Sequence, residues 1–599
     1  MKFLVLCLSG MDKRAYTRSL LACMALFAST LAHSENYRVE LETAQEVKEL
    51  LTDNLDLFRY RDRDDIGPEQ LDFLLETTVA DVEKLVATEG YFSPQTRVSI
   101  AETGSNPLIS LVVDPGPRTV IRSVDIDVSG PATQRSPKQI EQIRTEWPLV
   151  RGEPFRQTEW SDAKQSGLQI LQQRRYAAAS IARSQARVHA DQQAADLSIE
   201  YESGPVFTFG PLQIQGMRRY PDRIVRNVSP LRQGEEYSAS RLLELQRQIQ
   251  KTGYFSNVVV DLEKDINHAE RAPVKVEVTE FPTQRVRANV GYTTDTGMHV
   301  DGLYTHLNVF GRAWVLNTKA QLEQRRQNGL VELAMPPSRG AWVNSVAGSL
   351  ERTTLEGIDL RTRRIGVRRA RSLEKADTAY SLTYYNDRLE QTDNTPLPED
   401  TFVEPGMHHA LVLGFEKTWR RVDNPIYPRK GRIISAQVGG ALRGVLSDAS
   451  FVRTYGRLRE FVPVGKRDLV ILRAEFGAVF SEGRNADIPA SLLFRAGGTE
   501  SVRGYPFQGI GNERDGTVFP TRFLATGGAE YVHWLREEWG AAVFYDVGLA
   551  TDQWADKSLF HAVGVGARWR SPVGRVNLDL AYGFQANKLR PHLSLGIAF

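Results

Sequence analysis

The sequence predicts an α+β N-terminal half followed by a transmembrane β-barrel of about sixteen antiparallel strands. Three observations predict it. A unit with a helix end, a Gly-Tyr-Phe step and a strand recurs between residues 37 and 281. After Pro282 apolar and polar residues alternate with period two to the last residue. Beyond Ala32 no uncharged apolar run approaches the roughly 20 residues of a membrane helix. The chain is then either soluble in the periplasm or a β-barrel, whose strands hydropathy scans miss because only alternate residues face lipid.

Residues 1–32 read as a cleaved secretory signal. Lys13, Arg14 and Arg18 precede an apolar run from Leu20 to Leu31, and Thr30-Leu31-Ala32 fits a small-residue cleavage site. Leu20-Leu21-Ala22-Cys23 looks like a lipidation box, but the apolar stretch follows the cysteine instead of preceding it. Both cysteines, Cys7 and Cys23, fall in this segment, so the exported chain is expected to hold no disulfide and no Cys-based metal site. Removing the segment takes four Lys/Arg and one Asp, leaving 75 − 4 = 71 positive against 73 − 1 = 72 negative charges. That balance does not suggest a nucleic-acid binder.

The repeat is clearest in Ala87–Ile100 (ATEGYFSPQTRVSI) and Ile249–Leu262 (IQKTGYFSNVVVDL). Gly90 and Gly253 read as positive-φ helix caps. Leu171–Val188 keeps the same register but has Arg175-Tyr176 in place of Gly-Tyr. Each unit closes with a strand and a turn, at Leu108–Pro117, Ala195–Pro205 and Pro273–Pro282. Similarity at a fixed period implies an array of like modules, with boundaries at 37–118, 119–204 and 205–281.

From 283 to 599 the alternation is that of a barrel. Val563, Val565, Ala567 and Trp569 oppose Gly564, Gly566, Arg568 and Arg570; Leu472, Ala474, Phe476, Ala478 and Phe480 oppose Arg473, Glu475 and Gly477. Large apolar residues facing a row of charges and glycines imply lipid outside and a wet lumen inside. A soluble sandwich also alternates, but its solvent face rarely holds so many glycines. The 317 residues accommodate on the order of sixteen strands of ~10 residues with their turns. Leu593, Leu595, Ile597 and Phe599 form the apolar face of the last strand.

The units resemble POTRA domains, βααββ modules of the bacterial outer-membrane assembly superfamily. Val502-Arg503-Gly504-Tyr505 matches the VRGY motif that this family carries on its long sixth extracellular loop, folded into the lumen. Phe544, Asp546 and Gly548 match its F-x-D-x-G wall strand, and Gly566–Phe584 resembles its G-x-R-x-x-S-P-x-G-P stretch, with Arg575 where proline is usual. Asp423–Gly431 (DNPIYPRKG) resembles a periplasmic turn of the group. Three modules are most similar to the translocation and assembly module branch; two-partner transporters usually carry two, and the BamA branch five. The resemblance implies that Arg503 anchors the loop on Phe544 and Asp546. A guanidinium can serve both, as a fork for a carboxylate and a cation for a ring.

No Gly-x-Ser-x-Gly elbow, His-Glu-x-x-His helix or Gly-Lys-Ser/Thr phosphate loop occurs. His408 and His409, expected in a loop, would not share a metal, because neighbours on a strand face opposite ways. No enzyme activity, cofactor or metal is expected. Closing a barrel pairs its first strand with its last. Val286, Val290 and Gly291 are expected to meet Leu595, Gly596 and Phe599 in a seam that glycine weakens. The function expected is assembly of autotransporters and related barrels in the outer membrane, by strand addition at that seam. The resemblance implies outer-membrane lipid and a TamB-like partner, anchored in the inner membrane, as companions of modules hanging in the periplasm. The alternative is a two-partner secretion pore that exports a polypeptide through the lumen.

Overall fold

The computed structural model describes residues 37–63, 66–102, 107–355, 357–392, 405–482, 487–514, 516–554, 558–571 and 574–598. The expected signal at 1–32 and Phe599 lie outside them. Three α/β modules precede a barrel. The first comprises β1 (Arg38–Thr43), helices Gln45–Asn54, Asp56–Arg59 and Pro68–Thr88, β2 (Gln95–Glu102) and β3 (Leu108–Asp114). The second has β4 (Val120–Ser129), helices Ala132–Arg135, Pro137–Thr145 and Gln157–Gln172, β5 (Ser180–His189) and β6 (Ala194–Glu202). The third has β7 (Phe209–Gln215), helices Arg223–Val228 and Ala239–Lys251, β8 (Phe255–Leu262) and β9 (Ala272–Glu280). Each forms a three-stranded sheet whose last strand lies in the middle, parallel to the first and antiparallel to the second.

Period sets these choices. In the long helix of module one, Leu74, Thr78, Val82 and Val86 recur every fourth residue and are its buried stripe. On the middle strands alternate residues are buried: Ile109, Leu111 and Val113 in β3, Leu197, Ile199 and Tyr201 in β6. The repeated Gly-Tyr step closes each helix layer. Gly90 and Gly253 have φ of 92° and 76°, and the tyrosines that follow, Tyr91 and Tyr254, are buried. Arg175 takes the same left-handed conformation at φ 70° without being glycine. That strain, roughly 1–2 kcal/mol, is offset in part where its Nη1 donates to the Arg135 carbonyl at 2.9 Å. Tyr176 behind it is buried and shares a hydrogen bond with Ser136 at 2.9 Å. So the register of the repeat survives the loss of its glycine.

Modules one and two form one compact unit; most of module three and the barrel form another. The barrel strands are β10 (Gln284–Thr293), β11 (Gly297–Val309), β12 (Trp314–Glu323), β13 (Arg326–Ala334), β14 (Val343–Leu355), β15 (Ile358–Ser372), β16 (Ala376–Gln391), β17 (Gly406–Val422), β18 (Gly431–Ala441), β19 (Phe451–Val464) and β20 (Asp468–Ser481). After a long loop holding the short pair β21 (Asn512–Arg514) and β22 (Thr517–Phe519), the wall resumes with β23 (Phe523–Trp534), β24 (Trp539–Thr551), β25 (Phe560–Ser571), β26 (Gly574–Gly583) and β27 (Lys588–Ala598). These are 16 antiparallel wall strands in sequence order, closed by β10 on β27.

Leu472, Phe476, Phe480, Val563, Val565, Leu578 and Leu580 point outward and are exposed, while Arg568, Asp546 and Asp579 point inward and are buried. The long loop occupies part of the lumen with an apolar core, while Lys319, Gln321 and Glu323 of β12 leave a polar, partly exposed lining elsewhere. Ile488, Leu492, Phe494, Val502, Tyr505 and Ile510 of the long loop pack with wall residues such as Leu360, Val412, Phe451 and Leu524 in one apolar core. His408 and His409 are not in a loop but begin β17, where the His409 imidazole lies 3.1 Å from Asp448. Asp423 organises the β17–β18 turn by accepting the N–H groups of Asn424, Arg429 and Lys430 at 2.9–3.1 Å.

Module three is bonded to three consecutive turns of one barrel rim. Tyr254 donates its hydroxyl to the Ala313 carbonyl at 2.6 Å, Asn227 to Pro337 at 2.8 Å, and Lys251 to Leu373 at 3.1 Å. We call this rim the module side. Two outcomes are expected. Gly90→Ala lowers the thermal midpoint, because a Cβ there would lie 2.3 Å from the Phe155 carbonyl oxygen; Arg175→Ala, at an equivalent φ, costs less. Tyr254→Phe leaves the barrel folded but destabilises it by about 1 kcal/mol, read as earlier proteolysis between module three and the wall.

Candidate functional site

The site is the tip of the long loop between β20 and β23. The loop enters from the rim opposite the modules on a hydrogen-bonded stem: Phe494 and Thr521 exchange backbone bonds at 2.7–2.8 Å, Ala496 and Ile510 at 2.9 Å. Gly497, Gly498 and Gly504 all have positive φ. At Gly504 a side chain would also strike Gly583 of the wall, 2.9 Å away. The tip therefore lies with its backbone against the strands.

That proximity delivers Arg503 into an ion cluster. Its Nε and Nη2 donate to the two carboxylate oxygens of Asp546 at 2.7 and 3.1 Å. Its Nη1 donates to Glu530 at 2.7 Å and Asp579 at 3.1 Å. The guanidinium carbon stands 3.3 Å from the centroid of the Phe544 ring. Arg473 donates to Asp546 at 2.8 Å, and Arg568 bridges Glu530 and Asp579. Three arginines thus meet three carboxylates, and Arg503 and Asp546 are only 2% and 0% exposed. Charges so far from water are tolerated only when paired and hydrogen-bonded. Val502 is buried against Gly548, and Tyr505 donates to the His561 carbonyl at 2.9 Å while meeting Phe560 edge-on.

The wall beneath is built by register. Gly528 lies opposite Asp546, Gly564 opposite Phe544, and Gly566 opposite Asp579. A Cβ on these glycines would come within 2.5, 2.2 and 1.9 Å of those neighbouring side chains. Each glycine leaves room for the partner to lie across the strand and reach the loop. On the module side of the cluster a cavity of about 220 Å³ remains, lined by Arg459, Phe461, Glu530, Trp534 and Arg568.

The second part of the site is the seam. β10 pairs with β27 over five residues, Asn289 to Thr293 against Ala598 to Ser594; β10 pairs with β11 over ten. Val290 faces Ile597, Tyr292 faces Leu595, and Gly291 lies opposite Gly596. The structure does not place Val286 in the paired seam: among the described residues Gln284–Ala288 have no partner on β27, and Val286 is 76% exposed. Pairing is confined to the end nearer the loop tip, where Thr294 donates to the Leu593 carbonyl at 3.1 Å.

The loop tip touches both edges of this seam. Asp295, in the β10–β11 turn, accepts from the backbone and hydroxyl of Thr499 at 2.9 and 2.6 Å. His592 of β27 accepts the Gly504 N–H through Nε2 at 2.8 Å. The sequence reading brought Arg503, Phe544 and Asp546 together but missed Glu530, Asp579, Arg568, Arg473, His592 and Asp295. Alternation puts the charges of β20, β25 and β26 on the inward face, but not at one depth; depth comes from inter-strand register.

Similarity to known proteins follows the same division. Residues 308–599 match the Omp85 superfamily domain, and residues 207–280 match POTRA, described as a surface antigen variable number repeat. The chain is 24% identical over 392 residues to the outer membrane protein assembly factor BamA of Nitratidesulfovibrio vulgaris, covering 63% of this chain and 48% of that one. It is 22% identical over 459 residues to BamA of Neisseria meningitidis, 71% of this chain and 56% of that one. The chain thus spans about half the length of the curated relatives it matches. The crystal structure of BamA from Haemophilus ducreyi lacking POTRA domains 1–3 superposes with a TM-score of 0.57 at 15% identity, over 80% of this chain and 100% of that one.

Arg503→Ala leaves three buried acids against two arginines and is expected to destabilise the barrel by about 3–5 kcal/mol, read as a lower heat-modifiability temperature on gels. Arg503→Lys recovers part of this, since an ammonium cannot bind Asp546 through two parallel bonds.

Proposed function

We propose, from the premise that this chain carries an Omp85 superfamily barrel behind POTRA modules, that it is an outer-membrane assembly factor. Its modules lie in the periplasm, and it inserts nascent β-barrel proteins by adding their strands at the β10–β27 seam. The observation that carries this reading is the seam: five paired residues, opposed glycines at its centre, and a stretch of β10 beside them that has no partner on β27 among the described residues.

A strand in lipid must have its backbone polar groups paired. The stretch Gln284–Arg287, paired with β11 on one edge only among the described residues, offers such groups on its other edge to an extended segment arriving from the module side, and each further bond can replace one of the short β10–β27 ladder. Exchange along an edge keeps the number of paired groups nearly constant, which lowers the barrier to entry. Arg503 takes no chemical part. It holds the loop tip, and the tip, through Thr499 and Gly504, holds Asp295 and His592 on the two sides of the seam. Docking of the loop and closure of the seam are therefore coupled. No covalent step is needed, and we read the protein as a non-enzymatic insertase.

Within the superfamily we place the chain with the translocation and assembly module subunits, of which TamA is the type, with autotransporters as substrates and a TamB-like protein as periplasmic partner. The three modules support this. A secretion pore would need the loop core, including Phe494, Tyr505 and Ile510, to leave the wall before a chain could pass; seam exchange does not.

The test uses Gly291→Cys with Gly596→Cys, which are opposite in register. Under oxidation the double variant is expected to keep its fold and lose substrate assembly in reconstituted vesicles, recovering on reduction. Assembly at the reduced rate in a fully cross-linked barrel overturns the seam reading, and undiminished passage of a polypeptide through the locked barrel favours the pore.

A further inference from the structure

On the outward face of β14–β17 three cations gather at the module-side rim, next to a strip of exposed aliphatic residues. Arg369 and Arg371 of β15 lie over the ring of Trp342, at 5.4 and 4.7 Å from its centroid. Trp342 continues into a row of aromatics, Tyr380 at 5.9 Å and Phe415 at 5.2 Å beyond it. Lys417 lies over Trp419 at 5.0 Å. Register brings the cations to one level: Thr378 is the cross-strand partner of both Arg371 and Lys417, and Tyr380 of both Arg369 and Phe415.

These three cations have no ion-pair partner among the described residues, and the Nε–H of Arg371 is buried without an acceptor. The nearby acids are taken: Glu374 by Arg247, Asp377 by Arg420, and Glu416 by Arg368. The level is fixed as well. Trp342 follows the turn that bonds Asn227 of module three, and Arg371 precedes the turn that bonds Lys251. Next along the same face comes an aliphatic strip of Val346, Ile365, Val367, Leu382 and Leu413, all exposed, before Arg363 and Arg361 of β15. Cations and aromatics at one level above an aliphatic strip match a lipid with an anionic head and two chains. An acidic protein segment would have no use for the strip.

We propose that this face is a binding site for an anionic phospholipid of the periplasmic leaflet, its phosphodiester held by Arg369, Arg371 and Lys417 and its chains lying along Val346, Ile365, Val367 and Leu413. The site adjoins the turns that carry module three, so the lipid would steady the barrel where the modules hang. The inference rests on the barrel's lying in a membrane, and not on assembly activity or on the seam.

Native mass spectrometry of the purified full chain tests it, with phosphatidylglycerol and phosphatidylethanolamine titrated in parallel. The wild type is expected to retain phosphatidylglycerol preferentially. The variant Arg369→Gln/Arg371→Gln/Lys417→Gln is expected to weaken that binding about tenfold or more, with phosphatidylethanolamine binding unchanged. Arg369→Lys/Arg371→Lys, which keeps the charge, should keep the preference, and heat-modifiability on gels verifies that each barrel is folded. Millimolar inorganic phosphate should not displace the lipid, because it has no chains for the strip. Equal binding of the two lipids by the wild type, unchanged phosphatidylglycerol binding by a folded triple variant, or displacement by phosphate would each overturn the proposal.

Discussion

Arg503 is a guanidinium sealed inside a barrel, and removing it from water is costly unless every donor finds an acceptor. Asp546 takes two of its bonds, Glu530 and Asp579 take the others, and the Phe544 ring covers its face. Those acids in turn need Arg473 and Arg568, so the cluster is closed and neutral. Its members come from five different wall strands and the loop. A change in the position of any of those strands would leave a buried charge without its counter-ion, so the cluster fixes the curvature of this part of the wall along with the loop.

The glycines of the wall and those of the seam serve opposite ends. Gly528, Gly564 and Gly566 each sit beside a large or charged neighbour and give it room to reach inward; there the lost side chain is replaced by packing. Gly291 and Gly596 lie opposite each other in register, so neither offers the other a side chain to pack on. The same residue type makes room for the ion cluster on β23–β26 and, on the proposed reading, weakens the β10–β27 seam. Strain applied at the seam would, on that reading, meet a braced sector on one side. The latch from Thr499 to Asp295 and from Gly504 to His592 spans that boundary.

Module three shares the barrel's compact unit because its bonds fall on three successive turns. Polar contacts of Tyr254, Asn227 and Lys251 tie it there. An incoming chain that moved this module would pull on β11–β16, away from the ion cluster.

The periodicities were legible in the sequence because they are local. A four-residue stripe makes the helix of module one, a two-residue alternation makes the wall, and the Gly-Tyr step marks each module. Even the divergent Arg175 keeps its place, since φ is a property of one residue held by its neighbours. The pairing of Arg503 with Phe544 and Asp546 was legible only through a motif resemblance. What the tertiary structure alone decided was depth and register: that Glu530, Arg568 and Asp579 stand level with Arg503, that Val286 has no partner on β27 among the described residues, and that apolar loop residues form a core inside part of the lumen. Alternation tells which face a side chain takes, but a shift of two residues along a strand preserves that face while moving every charge by roughly 7 Å. Only the hydrogen-bonded neighbours on either side fix that choice.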